Sequence, residues 1–249
     1  MCGRFVVASS PTLLAERFHV DDVNADGHTP DYNVAPRENV LAVRERDSGD
    51  ATRRVLSRLR WGLVPPGAKD PSVGDRMINA RAETLATRHR RAFAKRRCII
   101  PADGFYEWRR LEPAPPSSRP QKEPVFIHRR DGEPLAFAGL WSVWRVPDEL
   151  AGAVGDEDGW LRSCAIVTTG ANRLVAPIHD RMPVLLPEEA WGAWLAPRPA
   201  DEDRLEALER LLVPAPDDGL EAYTVSSRVN RVVDKDADLV RPVDPMAVP

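Results

Sequence analysis

The chain has 249 residues, 43% of them hydrophobic, and a net charge of −3. This length is enough for one large domain or two small ones, and no apolar run reaches the ~18 residues that a membrane span needs. No signal peptide precedes the first strand, so we expect a cytoplasmic protein without membrane contacts. The three cysteines, Cys2, Cys98 and Cys164, are too few and too far apart to predict a disulfide framework or a zinc site.

Positive charge is concentrated in one part of the chain. Residues 51–110 hold 15 Lys and Arg against 5 Asp and Glu, a local net charge of +10, so the rest of the chain carries −13. Arginine predominates there, and guanidinium groups bind phosphate oxygens in a bidentate geometry. A basic region on an acidic protein indicates an anionic ligand. The alternative, strong for any single arginine of residues 88–97, is a solvated helix face.

The hydrophobic pattern predicts many short strands and few helices. Helices are expected at residues 12–19, 88–95, 188–195 and 201–212, with a short one after Asn172. Strands are expected at residues 40–43, 56–64, 98–101, 104–108, 125–128, 135–141, 164–169, 184–186, 223–225 and 229–233. Loops are expected at residues 21–32, 111–123 and 147–159 and in the proline-rich tail after residue 241. Short strands joined by irregular loops predict one α+β domain around a folded or barrel-like sheet.

The second residue is the most reactive candidate. Methionine aminopeptidases remove Met1 when a small side chain follows, so the mature chain would begin with Cys2. Its α-amine (pKa about 7.7–8.0) and its thiol (pKa about 8.5) would then lie on one carbon. Such an aminothiol forms a Schiff base with an aldehyde and closes a thiazolidine ring through sulfur. The alternative is a chance cysteine on a disordered terminus, and its position alone does not decide between the two.

Four further polar residues stand where a simple core would not place them. Glu107 lies in the aromatic strand 105–108, and burial there would raise its pKa and let it carry a proton near neutral pH. The alternative is that Glu107 faces outward. His179 alone of the five histidines lies in a dense polar cluster. Asn79 and Arg81 alternate, so both are expected to face one site. No metal, phosphate-loop or dinucleotide motif accompanies them.

Eight short motifs occur in a fixed order. They are MCGR at 1–4, YNVAP at 32–36, WGLVP at 61–65, NARAET at 79–84, RCIIPADGFYEW at 97–108, AGLW at 138–141, TTGAN at 168–172 and HDRMP at 179–183. Each is weak alone, but together they resemble the SOS-response-associated peptidase family, whose members crosslink to abasic sites in single-stranded DNA. The resemblance extends from residue 1 to about residue 233.

This resemblance implies a fold and a catalytic set. The fold is a single α+β domain with a strongly curved, barrel-like, mostly antiparallel sheet, peripheral helices and a positively charged groove, which we place at residues 1–240, with 241–249 as a loose tail. Cys2 matches the crosslinking nucleophile and Asn79 the residue that orients it. Glu107 and His179 match the acid/base pair. No cofactor and no metal are implied.

The resemblance also implies DNA contacts. Those expected are at Arg4, Asn33, Trp61, Arg81, Thr169 and Arg181. The partner is single-stranded DNA containing abasic sites, bound by a monomer. One departure concerns base stacking, since Gly67 stands where the family often has a second tryptophan. Stacking is worth about 1–3 kcal/mol per base, so flanking bases would be held less tightly or by Trp61 alone.

Three other functions remain open from the sequence. An N-terminal-nucleophile glutaminase also begins Met-Cys-Gly and uses the α-amine of its cysteine as a base, but such enzymes usually continue with Ile where this chain has Arg4. A thiol peptidase, including one that releases its own Met1, is the second. A noncovalent single-strand binder is the third, and its affinity would survive the loss of Cys2.

Overall fold

The computed structural model describes residues 2–47, 49, 51–112, 121–156, 158–197 and 200–243. The strands are β1 Arg4–Val7, β2 Asp22–Asn24, β3 Asp31–Val34, β4 Asn39–Asp47, β5 Thr52–Trp61, β6 Asn79–Arg81, β7 Arg97–Ala102, β8 Gly104–Leu111, β9 Gln121–Arg129, β10 Leu135–Arg145, β11 Trp160–Gly170, β12 Arg181–Pro183 and β13 Leu220–Thr224. The α-helices are α1 Pro11–Arg17, α2 Leu85–Arg88, α3 Arg90–Lys95, α4 Trp191–Leu195 and α5 Glu202–Glu209. No helix within these ranges is long and apolar enough to cross a bilayer.

Five strands close into a barrel. The antiparallel pairs run β11–β10, β10–β7, β7–β4 and β4–β5. The ring closes where β5 pairs with β11 in parallel, with Arg60 opposite Ser163 and Trp61 opposite Cys164. Closure leaves no free edge between these strands. The predicted α+β class with a barrel-like, mostly antiparallel sheet is therefore confirmed, with one parallel seam in the ring.

A second sheet carries the beginning of the chain. Its order is β13-β9-β8-β1-β3, and β1 pairs antiparallel with β8 on one side and with β3 on the other. The ring of Phe5 packs edge-on against Trp61 at 4.9 Å and Phe137 at 5.9 Å between centroids, which joins this sheet to the barrel core. Cys2 and Gly3, which directly precede β1, are consequently held in place by two strands and a buried aromatic ring.

Strand β7 shows why a proline does not end a strand here. The sequence predicts a stop at Pro101, but β7 continues through it to Ala102. The neighbouring strand β4 pairs with β7 at Ile99, opposite Val43, and on the other side Pro101 lies opposite Ala136. A proline is tolerated where the ladder requires no N–H donor. The prediction of a stop was wrong for that reason.

One arginine of the basic region is part of the core. Arg97 is buried, and its guanidinium donates to the carbonyl oxygens of Trp194, Phe93 and Ala196 at 2.6, 2.6 and 2.7 Å. These bonds hold α4 and the following residues against α3 and β7. Arg97 therefore does not contribute its charge to a ligand surface.

Several short elements differ from the sequence expectation. The predicted loop 21–32 contains β2, which pairs in parallel with β5, and the first residues of β3. The predicted strand 229–233 is replaced by a 3₁₀ turn at Ser227–Asn230, and the residues after Asn172 form turns rather than a helix. The strand expected at 184–186 lies earlier, at β12. Pairing with strands that are distant in the sequence, which local residue patterns do not encode, sets the places of β2, β3 and β12.

The predicted loop 111–123 and the predicted tail are described in part. Residues 113–120 and 244–249 lie outside the described residues, and β9 already begins at Gln121. At the other end Pro242 forms a bridge with Val225. The chain is therefore still paired with the second sheet at residue 242.

Candidate active site

Cys2 and Asn79 touch, although 77 positions separate them. The side-chain Nδ2 of Asn79 donates to the carbonyl oxygen of Cys2 at 2.9 Å. The barrel holds the backbone around Asn79 in place. Strand β6 pairs with β11, and the indole Nε1 of Trp61 donates to the carbonyl of Ile78 at 2.9 Å. The backbone of Cys2 is thus held by an amide that the barrel itself positions.

The thiol of Cys2 is in its neutral form in this environment. Cys2 is fully buried, and burial raises the pKa of its thiol well above the ordinary value, with the nearby negative charge of Glu107 adding to the rise. A buried thiol of this kind is a poor nucleophile until a neighbour accepts its proton. Because the charge of Glu107 contributes to the raised pKa of the thiol, Glu107 is the carboxyl group that lies near Cys2.

Glu107 faces the barrel side of its strand. It lies two residues after Phe105, whose ring packs against Phe137 at 5.9 Å, and it is 2% exposed. Burial raises its pKa to about 7, and the carboxylate of Asp180 contributes in the same direction. The burial expected from the sequence is confirmed, and the outward-facing alternative is excluded. At neutral pH the group exists in both forms and can either donate or accept a proton.

His179 precedes β12 and faces the same region. Its Nδ1 accepts from the backbone N–H of Arg181 at 3.0 Å and lies 2.9 Å from Oδ1 of Asp180. Burial lowers the pKa of the ring, so the neutral form predominates at pH 7. Asp180 acts electrostatically on both His179 and Glu107, so the two proposed proton carriers share one negative neighbour.

Two predicted phosphate contacts differ in how much charge they present. Arg81 is exposed and Ala80 is buried, so Asn79 and Arg81 share one face of β6 as expected. Within the described ranges no carboxylate forms an ion pair with Arg81, whereas Arg181 binds both carboxylate oxygens of Glu83 at 2.6 and 3.0 Å. The side chain of Arg181 is 13% exposed. Arg81 therefore offers a charge to a ligand, and that of Arg181 is largely neutralised.

Arg4 and Asn33 bind a loop of the protein. Arg4 Nη1 donates to Asn33 Oδ1 and to the carbonyl of Val229, both at 2.8 Å. Asn33 is fully buried, and its Nδ2 lies 3.0–3.1 Å from the carbonyls of Val229, Arg231 and Asp234. In this structure both side chains position the segment 229–234 beside β1, and Asn33 presents no surface to DNA.

Trp61 and Thr169 lie beneath the site. Trp61 has no exposed surface, and Thr169 is buried with its hydroxyl donating to the carbonyl of Leu212 at 3.0 Å. Neither side chain reaches a surface on which a base could stack or a phosphate could bind. The structure thus brings Cys2, Asn79 and Glu107 together with the His179 loop and leaves these two in supporting positions.

Two residues near the site are not predicted from the sequence. Glu83 neutralises Arg181, and its only sequence signal is its place in the same motif as Asn79 and Arg81. Asn230 accepts from the indole Nε1 of Trp108 at 2.7 Å, and nothing local connects positions 108 and 230. In the described part of the chain no group of three or more His, Cys, Asp or Glu is arranged to hold a metal ion.

Residues 1–232 match the family described as SOS response associated peptidase (SRAP). The chain belongs to this family. Among curated SRAP relatives, the abasic site processing protein YoqW of Bacillus subtilis is 42% identical, with 96% of this chain and 99% of the relative covered. The abasic site processing protein YedK of Escherichia coli is 33% identical, with 98% and 100% covered. The abasic site processing protein HMCES of Pongo abelii is 30% identical, with 88% and 67% covered.

Solved structures share the fold of this chain. A crystal structure of a protein from Bacteroides thetaiotaomicron matches with a TM-score of 0.75 at 22% identity, covering 97% of this chain and all of that one. At this identity the likeness shows the fold alone. A phage-related protein from Bordetella bronchiseptica matches with a TM-score of 0.64 at 32% identity, covering 90% of this chain and 94% of that one.

Proposed function

We propose that this protein processes abasic sites in single-stranded DNA by forming a covalent crosslink through Cys2 after Met1 is removed. The relatives are named for abasic-site processing. The observation that carries the proposal is the contact of Asn79 with the Cys2 backbone beside the buried carboxyl group of Glu107. A nucleophile, a residue that orients it and a proton carrier with a pKa near 7 form one constellation.

The chemistry needs no group beyond these residues and the sugar. The abasic deoxyribose opens to an aldehyde at C1′. The Cys2 amine adds to C1′, and loss of one water gives an imine. The thiol then gives up its proton, sulfur adds to C1′, and the imine nitrogen takes a proton to complete the thiazolidine. Removal of Met1, by an aminopeptidase or by the chain itself, comes first because it creates the amine.

Glu107 and His179 divide the proton transfers. Neutral Glu107 donates to the ring oxygen as the sugar opens, and the resulting carboxylate takes the proton from O1′ or from the Cys2 thiol. His179 is neutral and lies beside the carboxylate of Asp180. It acts at the imine stage. There it can remove a C2′ proton, which breaks the C3′–O bond and releases the 3′ phosphate as a lyase-type step. Asn79 holds the Cys2 backbone throughout.

The DNA-binding part of the proposal rests on Arg81. Its exposed guanidinium lies on the Asn79 face of β6, at the position where a phosphate beside the lesion would lie. Arg4, Asn33, Trp61, Thr169 and Arg181 act through internal contacts that keep the nucleophile and its neighbours in place. We propose that a monomer, with residues 1–240 as its working domain, shields the lesion on DNA in the cytoplasm.

A denaturing gel tests the proposal directly. The purified protein is incubated with single-stranded DNA that carries one abasic site, with intact DNA, and with DNA that carries a tetrahydrofuran analogue. The analogue lacks the hydroxyl group at C1′, so it is an ether rather than a hemiacetal and cannot open to an aldehyde. We expect a shifted, denaturation-resistant band with the abasic strand alone. A band of equal intensity with the analogue, or none with any strand, would overturn the proposed function.

Arg81→Ala is expected to reduce the salt dependence of binding. Each phosphate contact that is lost lowers the slope of log K against log salt by about 0.7 for a single strand. Arg181→Ala is the matched control, because its charge already pairs with Glu83 and its removal should change the slope much less. The measurement is fluorescence anisotropy with analogue-containing DNA over a salt series. Equal slopes in the wild type and in Arg81→Ala would remove this arginine from the interface.

A further inference from the structure

A second basic feature lies beside the site and has no part in the mechanism above. It is a cavity of about 180 Å³ with Leu63, Pro66 and Met77 among its apolar walls and Arg88, Arg91 and Arg96 on its basic side. Met77 is two residues before Asn79, and two residues of chain span at most about 7 Å. A strand of DNA whose abasic sugar lies at Asn79 would therefore reach this cavity with an adjacent nucleotide.

The arginines of the cavity keep their charge available. In the described ranges none of Arg88, Arg91 and Arg96 forms an ion pair with a carboxylate, while most arginines elsewhere in those ranges do. The guanidinium of Arg96 lies 5.5 Å from the ring centroid of Trp141, and its backbone carbonyl accepts from the Trp141 N–H at 2.9 Å. Three unneutralised guanidinium groups at one opening favour an anionic group there.

The wall of the cavity holds an unsatisfied polar group. Ser142 is 3% exposed, and its hydroxyl finds no hydrogen-bond partner among the described residues. A buried hydroxyl left unpaired costs free energy, and a water, an ion or a bound ligand group that reaches it removes that cost. The occupant should therefore combine apolar faces with a polar edge and carry a negative charge outside.

The size of the cavity limits that occupant. About 180 Å³ is several times the ~30 Å³ share of one water molecule but below the ~300 Å³ of a typical drug-sized site. A single planar heterocycle satisfies this limit. We propose that the cavity receives the base of the nucleotide next to the abasic site, with its polar edge at Ser142 and its phosphate at Arg88 and Arg91. This inference rests on the proposed function and names how the lesion's neighbour is held.

Binding of defined oligonucleotides tests the pocket independently of the crosslink. The probes are single strands with a tetrahydrofuran analogue at the lesion position and a second analogue replacing the 5′ base, the 3′ base or neither. We expect loss of one particular neighbouring base to weaken binding by about 5- to 150-fold, the range that base stacking gives. Loss of the base on the other side should have a much smaller effect. Equal affinity for all three strands would overturn the pocket.

Two matched pairs of variants locate the effect. Ala92→Leu fills the cavity and should abolish the discrimination between strands, whereas Ala94→Leu is equally packed against the core but does not line the cavity and should retain it. Arg91→Ala should lower the salt slope by about 0.7, and Arg90→Ala on the same helix should lower it less. Indistinguishable results within either pair would overturn the proposal. If the protein discriminates between the strands but forms no crosslink, the pocket is supported and the proposed function is overturned.

Discussion

Cys2→Ala is expected to abolish the denaturation-resistant adduct completely. The substitution removes the sulfur that closes the thiazolidine, so an imine that does form stays open to hydrolysis. Noncovalent binding should persist within a few-fold, because Arg81 and the arginines of the cavity are untouched. The measurement is a denaturing gel for the adduct and anisotropy for affinity, on the same preparations.

Two further variants separate the amine from the thiol. Cys2→Ser keeps the amine and should give an adduct only when borohydride traps the imine. An N-terminal extension that prevents removal of Met1 should be as damaging as Cys2→Ala, because no free amine forms. A stable adduct from Cys2→Ala without borohydride would show that the nucleophile lies elsewhere.

Glu107→Gln should slow capture by about 10²–10⁴, the usual contribution of one positioned proton carrier. The amide keeps the shape of the side chain but cannot transfer the proton that opens the sugar. Adduct yield at long times should recover in part, since the nucleophile remains. A single-turnover time course between pH 5 and 8 measures both, and His179→Ala is the comparison, with capture retained and strand scission or release altered. Wild-type capture rates in Glu107→Gln would make Glu107 a structural carboxyl.

The pH dependence of stability gives a second readout for Glu107. Its pKa in the folded protein is raised from the ordinary 4.5 to about 7, so between these values the folded state binds more protons than the unfolded state. Stability due to this group therefore falls as pH rises through that window. Glu107→Gln should remove the fall and be more stable than the wild type above pH 7, by at most about 3 kcal/mol. Urea unfolding at pH 5 and pH 8 measures this difference.

The sequence predicts those features of the fold and the site that depend on residues close together in the chain. The burial of Glu107 and the shared face of Asn79 and Arg81 follow from alternation along a strand, and both are confirmed. The parallel seam between β5 and β11 joins residues about a hundred positions apart, and no local pattern encodes it. The seam buries Trp61, which the motif alone made a candidate for base stacking.

Charge was the least predictable property of the site. Arg81 and Arg181 differ in the charge that they present to a ligand. Glu83 pairs with Arg181, whereas Arg81, two residues before Glu83, is exposed. Arg97 belongs to the same basic region by count and yet binds three carbonyls in the core. The residue type gives the sign of a charge, but the fold decides whether that charge is already paired with a group of opposite sign.

The pairing of β1 has a consequence for the order in which the protein is made. Cys2 is among the first residues to leave the ribosome, yet Asn79, Glu107 and the carbonyl of Val229 must all exist before its surroundings are complete. Contacts of such long sequence separation form slowly, because the entropy of loop closure opposes them. The surroundings of Cys2 are therefore complete only after residue 229 has left the ribosome. On the proposed mechanism, a nascent or truncated chain that ends before residue 107 would carry the cysteine but not the carboxyl group that accepts its proton.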